Sequence, residues 1–226
     1  MDLLDLLDVR LETMWRHDER GRIVATNRPE GGPAPRLVVS RSAAGAVWRT
    51  GPDVTDRQLA DLEPLLGADD DWRTDTPAAV DDIVAALGGG EIDGGPNYRP
   101  GPSMTAPMGE TVVVTPADVH MLESLMGDWV ADVGSRDPVA ATIVDGRAVA
   151  VCMSARVGAR VHEAGVETHP DHRGRGHGLA AVAEWRVAVE RRGAIPLYCT
   201  SWSNSASKRL AAAAGFEHYA TDLYVR

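Results

Sequence analysis

From Arg173 to Gly178 the chain reads Arg-Gly-Arg-Gly-His-Gly and then runs straight into an apolar-periodic segment. The N-terminus of a helix leaves backbone N–H groups without partners and carries a partial positive charge. Glycines let an anion approach those groups with no Cβ in the way. Arg173 and Arg175 add fixed positive charge with bidentate capacity. The stretch therefore reads as a cradle for a phosphate or pyrophosphate. It is not a Walker A loop, because no Gly-Lys-Ser/Thr follows four spacer residues. Nor does the spacing of Gly174, Gly176 and Gly178 fit the dinucleotide pattern Gly-x-Gly-x-x-Gly.

Groups able to move protons stand just before the loop, in RVHEAGVETH (160–169). Strand alternation puts His162, Ala164, Val166 and Thr168 on one face, and Glu163, Gly165, Glu167 and His169 on the other. A bulge would be needed for both faces to serve one centre. His169, His172 and His177 also raise the question of a metal. Three histidines in a glycine turn beside arginines, with no Cys or carboxylate well placed, make a poor zinc site, so no metal is expected.

The loop needs a strand before it and a helix after it, and the sequence supplies both. Residues 160–169 read as a strand ending before Pro170, and about 176–192 as a helix closed by Gly193. Upstream stand a strand TVVVT (111–115) and a helix capped at Thr115 or Asp118, with Val119, Leu122, Met126 and Val130 inward. Two apolar runs within 139–157 flank Asp145-Gly146, the signal of a type I′ hairpin. Downstream come a strand 195–202, an Ala-rich helix 205–214 and a final strand FEHYATDLYVR. The order β-α-β-β-β-α-β-α-β predicts a mixed sheet with flanking helices.

The first hundred residues read as a smaller α/β domain of unknown role. Leu4, Leu7, Leu11 and Met14 set a helix over 3–15, followed by strands at 22–26, 36–40 and 46–50. Thr55-Asp56-Arg57-Gln58 is a capping box, and Thr76-Pro77 opens a further helix that Gly88 stops. Residues 88–110, dense in Gly and Pro, read as a linker between domains 1–100 and 110–226, in which Tyr98 and Arg99 could reach a ligand.

Composition narrows the function classes. The net charge of -10 is concentrated in residues 1–110, where 20 acidic side chains face 11 basic ones. That balance argues against nucleic acid; it suits either a cationic small molecule or peptide, or plain solvated acidic helices. No apolar run reaches membrane-spanning length, and the acidic N-terminus lacks the basic start of a signal peptide, so a cytoplasmic protein without a membrane partner is expected. Cys152 and Cys199 sit far apart in apolar stretches and read as free thiols. The sequence leaves the oligomeric state open, a homodimer included.

The pattern Arg-x-x-Gly-x-Gly at 173–178, entered through ETHPDHRGRGHG, resembles the cofactor loop of the GCN5-related N-acetyltransferase (GNAT) superfamily. Downstream, Asn204, Ser207, Leu210, Gly215 and Phe216 resemble that family's Asn-x-x-Ala-x-x-Leu-…-Gly-Phe segment, with Ser207 at the Ala position. The resemblance covers roughly 110–226; residues 1–100 hold no second copy of the loop.

It implies a GNAT-like fold and transfer of an acetyl group from acetyl-CoA to an amine. The loop from Arg173 through Gly174, Arg175, Gly176 and His177 to Gly178 would hold the CoA pyrophosphate. The backbone of Val166, Glu167 and Thr168 would pair with the pantetheine arm, and an amide there would polarise the thioester carbonyl. Asn204 and Ser207 would lie along the arm, and the strand after the helix would splay away to admit it. Glu163, Glu167 and His162 are the candidates for general base, in that order: His162 falls where the family's glutamate base lies, and Glu167 is nearest the expected thioester. The family's acid, a Tyr one residue after the Leu, is Ala211 here, which leaves Tyr219 or Tyr198 as substitutes, or no acid at all. The acidic runs Asp69-Asp70-Asp71 and Asp81-Asp82 could recognise an amine. Two rival readings share the loop: a non-catalytic acyl-CoA sensor, and a phosphate or nucleotide domain unrelated to CoA.

Overall fold

The computed structural model describes every residue except 29, 67–70, 104, 105, 107 and 108. Asp2 caps the first helix, its carboxylate accepting from the Asp5 amide at 2.9 Å. In this helix, α1 (Leu3–Met14), Leu6, Leu7, Leu11 and Met14 are buried. Leu4, expected on the inner stripe, is 40% exposed, and Leu6 takes its place. β1 (Trp15–His17) and β2 (Ile23–Thr26) pair as an antiparallel ribbon. β3 (Leu37–Ser42) and β4 (Gly45–Thr50) form a hairpin. The capping box works in both directions at the start of α2 (Asp56–Leu66): the Gln58 amide donates to Thr55 Oγ1 at 3.3 Å, and the Thr55 amide to Gln58 Oε1 at 3.1 Å. Pro64 lies inside α2 without ending it. α3 (Val80–Ala86) stops at Gly88, whose φ of 79° only glycine adopts readily.

The stretch expected as a linker contains a strand, β5 (Ile92–Pro100). Its centre, Gly94 to Tyr98, is wholly buried, so it lacks the polar alternation by which a strand is read. Its glycines are there for close approach: a Cβ on Gly94 would stand 2.2 Å from the Asp222 carbonyl oxygen, and one on Gly95 1.8 Å from that of Thr200.

β6 (Glu110–Val114) follows. The helix expected after it is two short 3₁₀ turns, Val119–Met121 and Gly127–Asp132. Leu122 and Met126 are buried as expected, but Gly127 breaks the period after one turn. β7 (Val139–Val144) and β8 (Arg147–Val157) meet at Asp145 and Gly146, both with positive φ (50° and 72°), as a type I′ turn requires. β9 (Val161–Thr168), α4 (His177–Arg191), β10 (Ile195–Cys199), α5 (Ser205–Ala213) and β11 (Phe216–Val225) complete the chain. No helix among the described residues is long and apolar enough to cross a membrane.

Two compact units result. One holds Met1–Tyr98, Cys199–Asn204 and His218–Arg226; the other holds Arg99–Tyr198 and Ser205–Glu217. The division expected along the chain is therefore crossed by its last segments. In the first unit the strand order is β4-β3-β11-β5, with β3 antiparallel to both neighbours. In the second it is β10-β9-β8-β7-β6, antiparallel except for β10 beside β9. The fold is mixed α/β, with the smaller α1-β1-β2 element at the N-terminus.

A buried carboxylate organises the first unit. Asp222, 1% exposed, accepts from Arg10 Nη1 (2.8 Å), Ser40 Oγ (2.5 Å), Asn97 Nδ2 (2.7 Å) and the Tyr224 hydroxyl (2.6 Å). Burial, and then the Asp222 charge, push the Tyr224 hydroxyl well above the usual tyrosine range. Asp222→Ala leaves the Arg10 charge buried without its carboxylate. It should cost about 3–5 kcal/mol of stability, read from the urea denaturation midpoint of the full chain.

Candidate active site

β10 runs parallel to β9 for three rows only: Ile195 beside Val161, Pro196 beside His162 and Leu197 beside Glu163. β9 continues to Thr168, still paired to β8 on its other side. Its backbone from Ala164 to Thr168 is thus an open edge toward β10 among the described residues. Such an edge offers an extended ligand the hydrogen bonds of an added strand.

The open edge leads to the glycine loop. A 3₁₀ turn, Pro170–His172, reverses the chain, and Arg173 Nε donates back to the Thr168 carbonyl at 3.1 Å. Gly174 and Gly176 have φ of 74° and 83°, and Gly176 is the N-cap of α4 with no side chain capping it. The N–H groups of residues 174–179 have no acceptor among the described residues; Ala180, bonded to the Gly176 carbonyl at 3.0 Å, is the first that does. Gly178 lets α4 close on β9, since a Cβ there would stand 2.8 Å from Thr168 Oγ1. Thr142 Oγ1 donates to the His177 carbonyl at 2.8 Å and steadies the first turn. Six unpaired donors, an uncapped helix end and two arginines fit a pyrophosphate.

The side chains of β9 divide between two faces. Thr168 beside Gly178 and His162 bonded to Ser154 mark the α4 face. Glu163, Gly165 and Glu167 point the other way, where Glu167 accepts from Trp129 Nε1 at 2.8 Å. The ladder slips between Ser154 and Arg156, so the bulge lies on β8, and alternation along β9 is unbroken. His162 and the two glutamates thus stand on opposite faces. His162 is 6% exposed; its Nδ1 lies 2.8 Å from Ser154 Oγ, which accepts from Trp185 Nε1 at 3.1 Å. Glu163 is 2% exposed, with Arg156 opposite it in the ladder. Val166 lies on the α4 face, its backbone within the open edge. Ser154, Trp185, Trp129 and Thr142 were not foreseen: they carry no motif, and only the folded sheet brings them here.

Other expected residues are placed as follows. Ser207 on α5 meets the Tyr198 hydroxyl at 2.7 Å. Ala211 is fully buried, so no tyrosine ring could stand there without displacing its neighbours. Asn204 and Tyr219 belong to the first unit, Tyr219 buried on β11. Tyr98 is also in that unit, buried, with its hydroxyl raised above the usual range by burial. Asp81 and Asp82 lie in the first turn of α3; Asp71 caps the Arg73 amide; Asp69 and Asp70 fall outside the described residues. The rings of His169, His172 and His177 meet edge-on and tilted, with centroids 5.9 Å apart at each step. Among the described residues no group of three or more His, Cys, Asp or Glu could hold a metal ion.

Burial, reinforced by Arg192, holds His162 below the ordinary imidazole pKa; burial, then His172 and Arg175, does the same for His177. The unfolded chain therefore binds protons more readily than the folded one. Stability from these rings is complete above the unfolded value of about 6.5 and falls as pH drops through it toward the folded values. Denaturation midpoints should decline from pH 7.5 to 5.5, and less steeply in His162→Gln.

The GNAT acetyltransferase family profile matches residues 140–221. No curated protein matches the chain. Among solved structures, a GNAT-family acetyltransferase from Colwellia psychrerythraea aligns over 100% of this chain and 98% of its own, at 12% identity and TM-score 0.52. A GCN5-related N-acetyltransferase from Sphaerobacter thermophilus aligns over 88% and 78%, at 16% identity and TM-score 0.50. A GNAT-family protein from Novosphingobium aromaticivorans is 23% identical, with TM-score 0.47; the match covers 60% of this chain and 66% of that one, just under two thirds of its length. At these identities the likeness is one of fold. Residues 140–221 thus carry the match to the GNAT acetyltransferase family, and the fold around them is GNAT-like, a fold that carries an acyl-CoA site.

Proposed function

We propose that the protein is an N-acetyltransferase that moves the acetyl group of acetyl-CoA to an amine. The observation that carries this reading is the run of unpaired N–H groups at 174–179, continuous with the open edge of β9. The loop and α4 N-terminus hold the pyrophosphate, with Arg173 and Arg175 supplying charge. The edge from Ala164 to Thr168 holds the pantetheine arm, whose thioester end lies toward the closed rows at His162 and Glu163. Ser207, in the same unit as the loop, is assigned to the arm.

The amine nitrogen attacks the thioester carbonyl carbon. A C–N bond forms, the C–S bond breaks, and CoA departs as a thiolate that takes up a proton. An amide of the β9 edge faces the carbonyl oxygen on which negative charge develops. The ammonium form of the acceptor must first lose a proton. Glu163, at the closed end of the gap, is assigned that task, ahead of Glu167, which lies further up the strand and is held by Trp129. The excess of acidic residues in 1–110 suits a cationic acceptor.

A second reading, an acyl-CoA sensor without turnover, draws on Ala211, where the fully buried methyl leaves no acid at the family's tyrosine position.

Thiol release from acetyl-CoA across a panel of primary amines, beside calorimetry of CoA binding, tests both. Acceptor-dependent release is expected; binding without release would favour the sensor, and no binding would sink both. Glu163→Gln should lower kcat/KM by about 10²–10⁴ with CoA affinity retained, and Glu167→Gln by far less. The reverse order would move the base to Glu167. Gly178→Val, which forces a side chain against Thr168, should weaken CoA binding in the same titration.

A further inference from the structure

Ser154, His162 and Trp185 form a closed chain of hydrogen bonds whose protons can be counted. An indole nitrogen only donates; a hydroxyl has one proton and two lone pairs; a neutral imidazole has one donor and one acceptor nitrogen. Trp185 Nε1 donates to Ser154 Oγ at 3.1 Å and occupies one lone pair. Ser154 is wholly buried, and its hydroxyl has one other partner among the described residues, His162 Nδ1 at 2.8 Å. The hydroxyl proton therefore goes to Nδ1. If Nδ1 carried a proton instead, two donors would meet one oxygen, and the hydroxyl proton would be buried without an acceptor, which folded proteins avoid.

A ring whose Nδ1 accepts carries its single proton on Nε2; burial, then Arg192, also favours the neutral form. Nε2 has no partner among the described residues and is not one of the buried orphan atoms, so it is the edge of the ring that solvent reaches. His162 pairs with Pro196, one row before β9 and β10 part.

We propose that Ser154 and Trp185 are positioning residues that lock His162 in its Nε2–H tautomer, so that His162 serves the closed end of the gap as a hydrogen-bond donor and not as a base. The tautomer stands on the hydrogen bonds alone; the donor role rests on the acyl-transfer reading. No proton leaves the ring, and no bulge in β9 is needed: a carbonyl lying in the plane of the open edge has one face of the strand on either side, so Nε2–H donates to the oxygen that gains negative charge while the proton of the amine goes to a carboxylate on the other face.

Nitrogen-15 NMR of histidine side chains in the full chain at pH 7, without ligand, tests the tautomer. Wild type should show His162 protonated at Nε2 with Nδ1 as acceptor. Ser154→Ala, folded by circular dichroism, should shift a measurable fraction of the proton to Nδ1. A wild-type ring protonated at Nδ1 would overturn the proposal, and so would a folded Ser154→Ala with an unchanged tautomer; the wild-type spectrum decides even if the variant fails to fold. For the role, His162→Gln keeps an N–H donor but cannot act as a base. It should stay within about tenfold of wild type in thiol release, whereas His162→Ala should lose about 10²–10³. Equal losses in the two variants would refute the donor role. If no amine supports release by wild type, acyl transfer and the donor role fall together, while the spectrum still judges the lock.

Discussion

Everything in the second unit bears on one requirement: the N-terminus of α4 must keep its backbone donors unpaired yet stay folded. An uncapped helix end ordinarily frays or finds a side-chain acceptor. Here its hold comes from outside the donor array. Thr142 grips the His177 carbonyl, Gly178 lets the helix sit against Thr168, and Arg173 ties the loop back to the end of β9. Further along the helix, the fully buried Trp185 anchors it to the sheet. The N–H groups remain free for whatever the loop binds.

The same geometry divides the chemistry of β9. One face turns to α4 and carries His162 in a dry setting of fixed hydrogen bonds; the other carries Glu163 and Glu167. Because the bulge falls on β8, the alternation that separates these groups survives. A strand edge with an imidazole on one side and carboxylates on the other can treat a bound carbonyl asymmetrically, one face donating and the other accepting.

Much of this was legible in the sequence where local chemistry decides the outcome. Asp145-Gly146 and the glycines of the loop act through their own backbone, and the Thr55–Gln58 box through side chains that reach only three residues along the chain. The sequence misled where tertiary contact decides. Gly94 and Gly95 look like linker residues, but they make room for neighbouring backbone in a buried strand. Val119 to Val130 has helical spacing but folds as two short turns around buried Leu122 and Met126. Ser154 and Trp185 are 31 residues apart, and nothing in either neighbourhood signals the other. Among the candidate site residues, the loop was readable because its function is its backbone; the roles of His162 and the glutamates depended on which way a strand faces.

The buried carboxylate of Asp222 has a consequence for synthesis. The first unit contains β11, so Arg10, Ser40 and Asn97 wait for an acceptor that leaves the ribosome after nearly all of the second unit. Domains made in order normally fold from the N-terminus. Here the half translated first is the half finished last, because the carboxylate that Arg10, Ser40 and Asn97 share comes with β11.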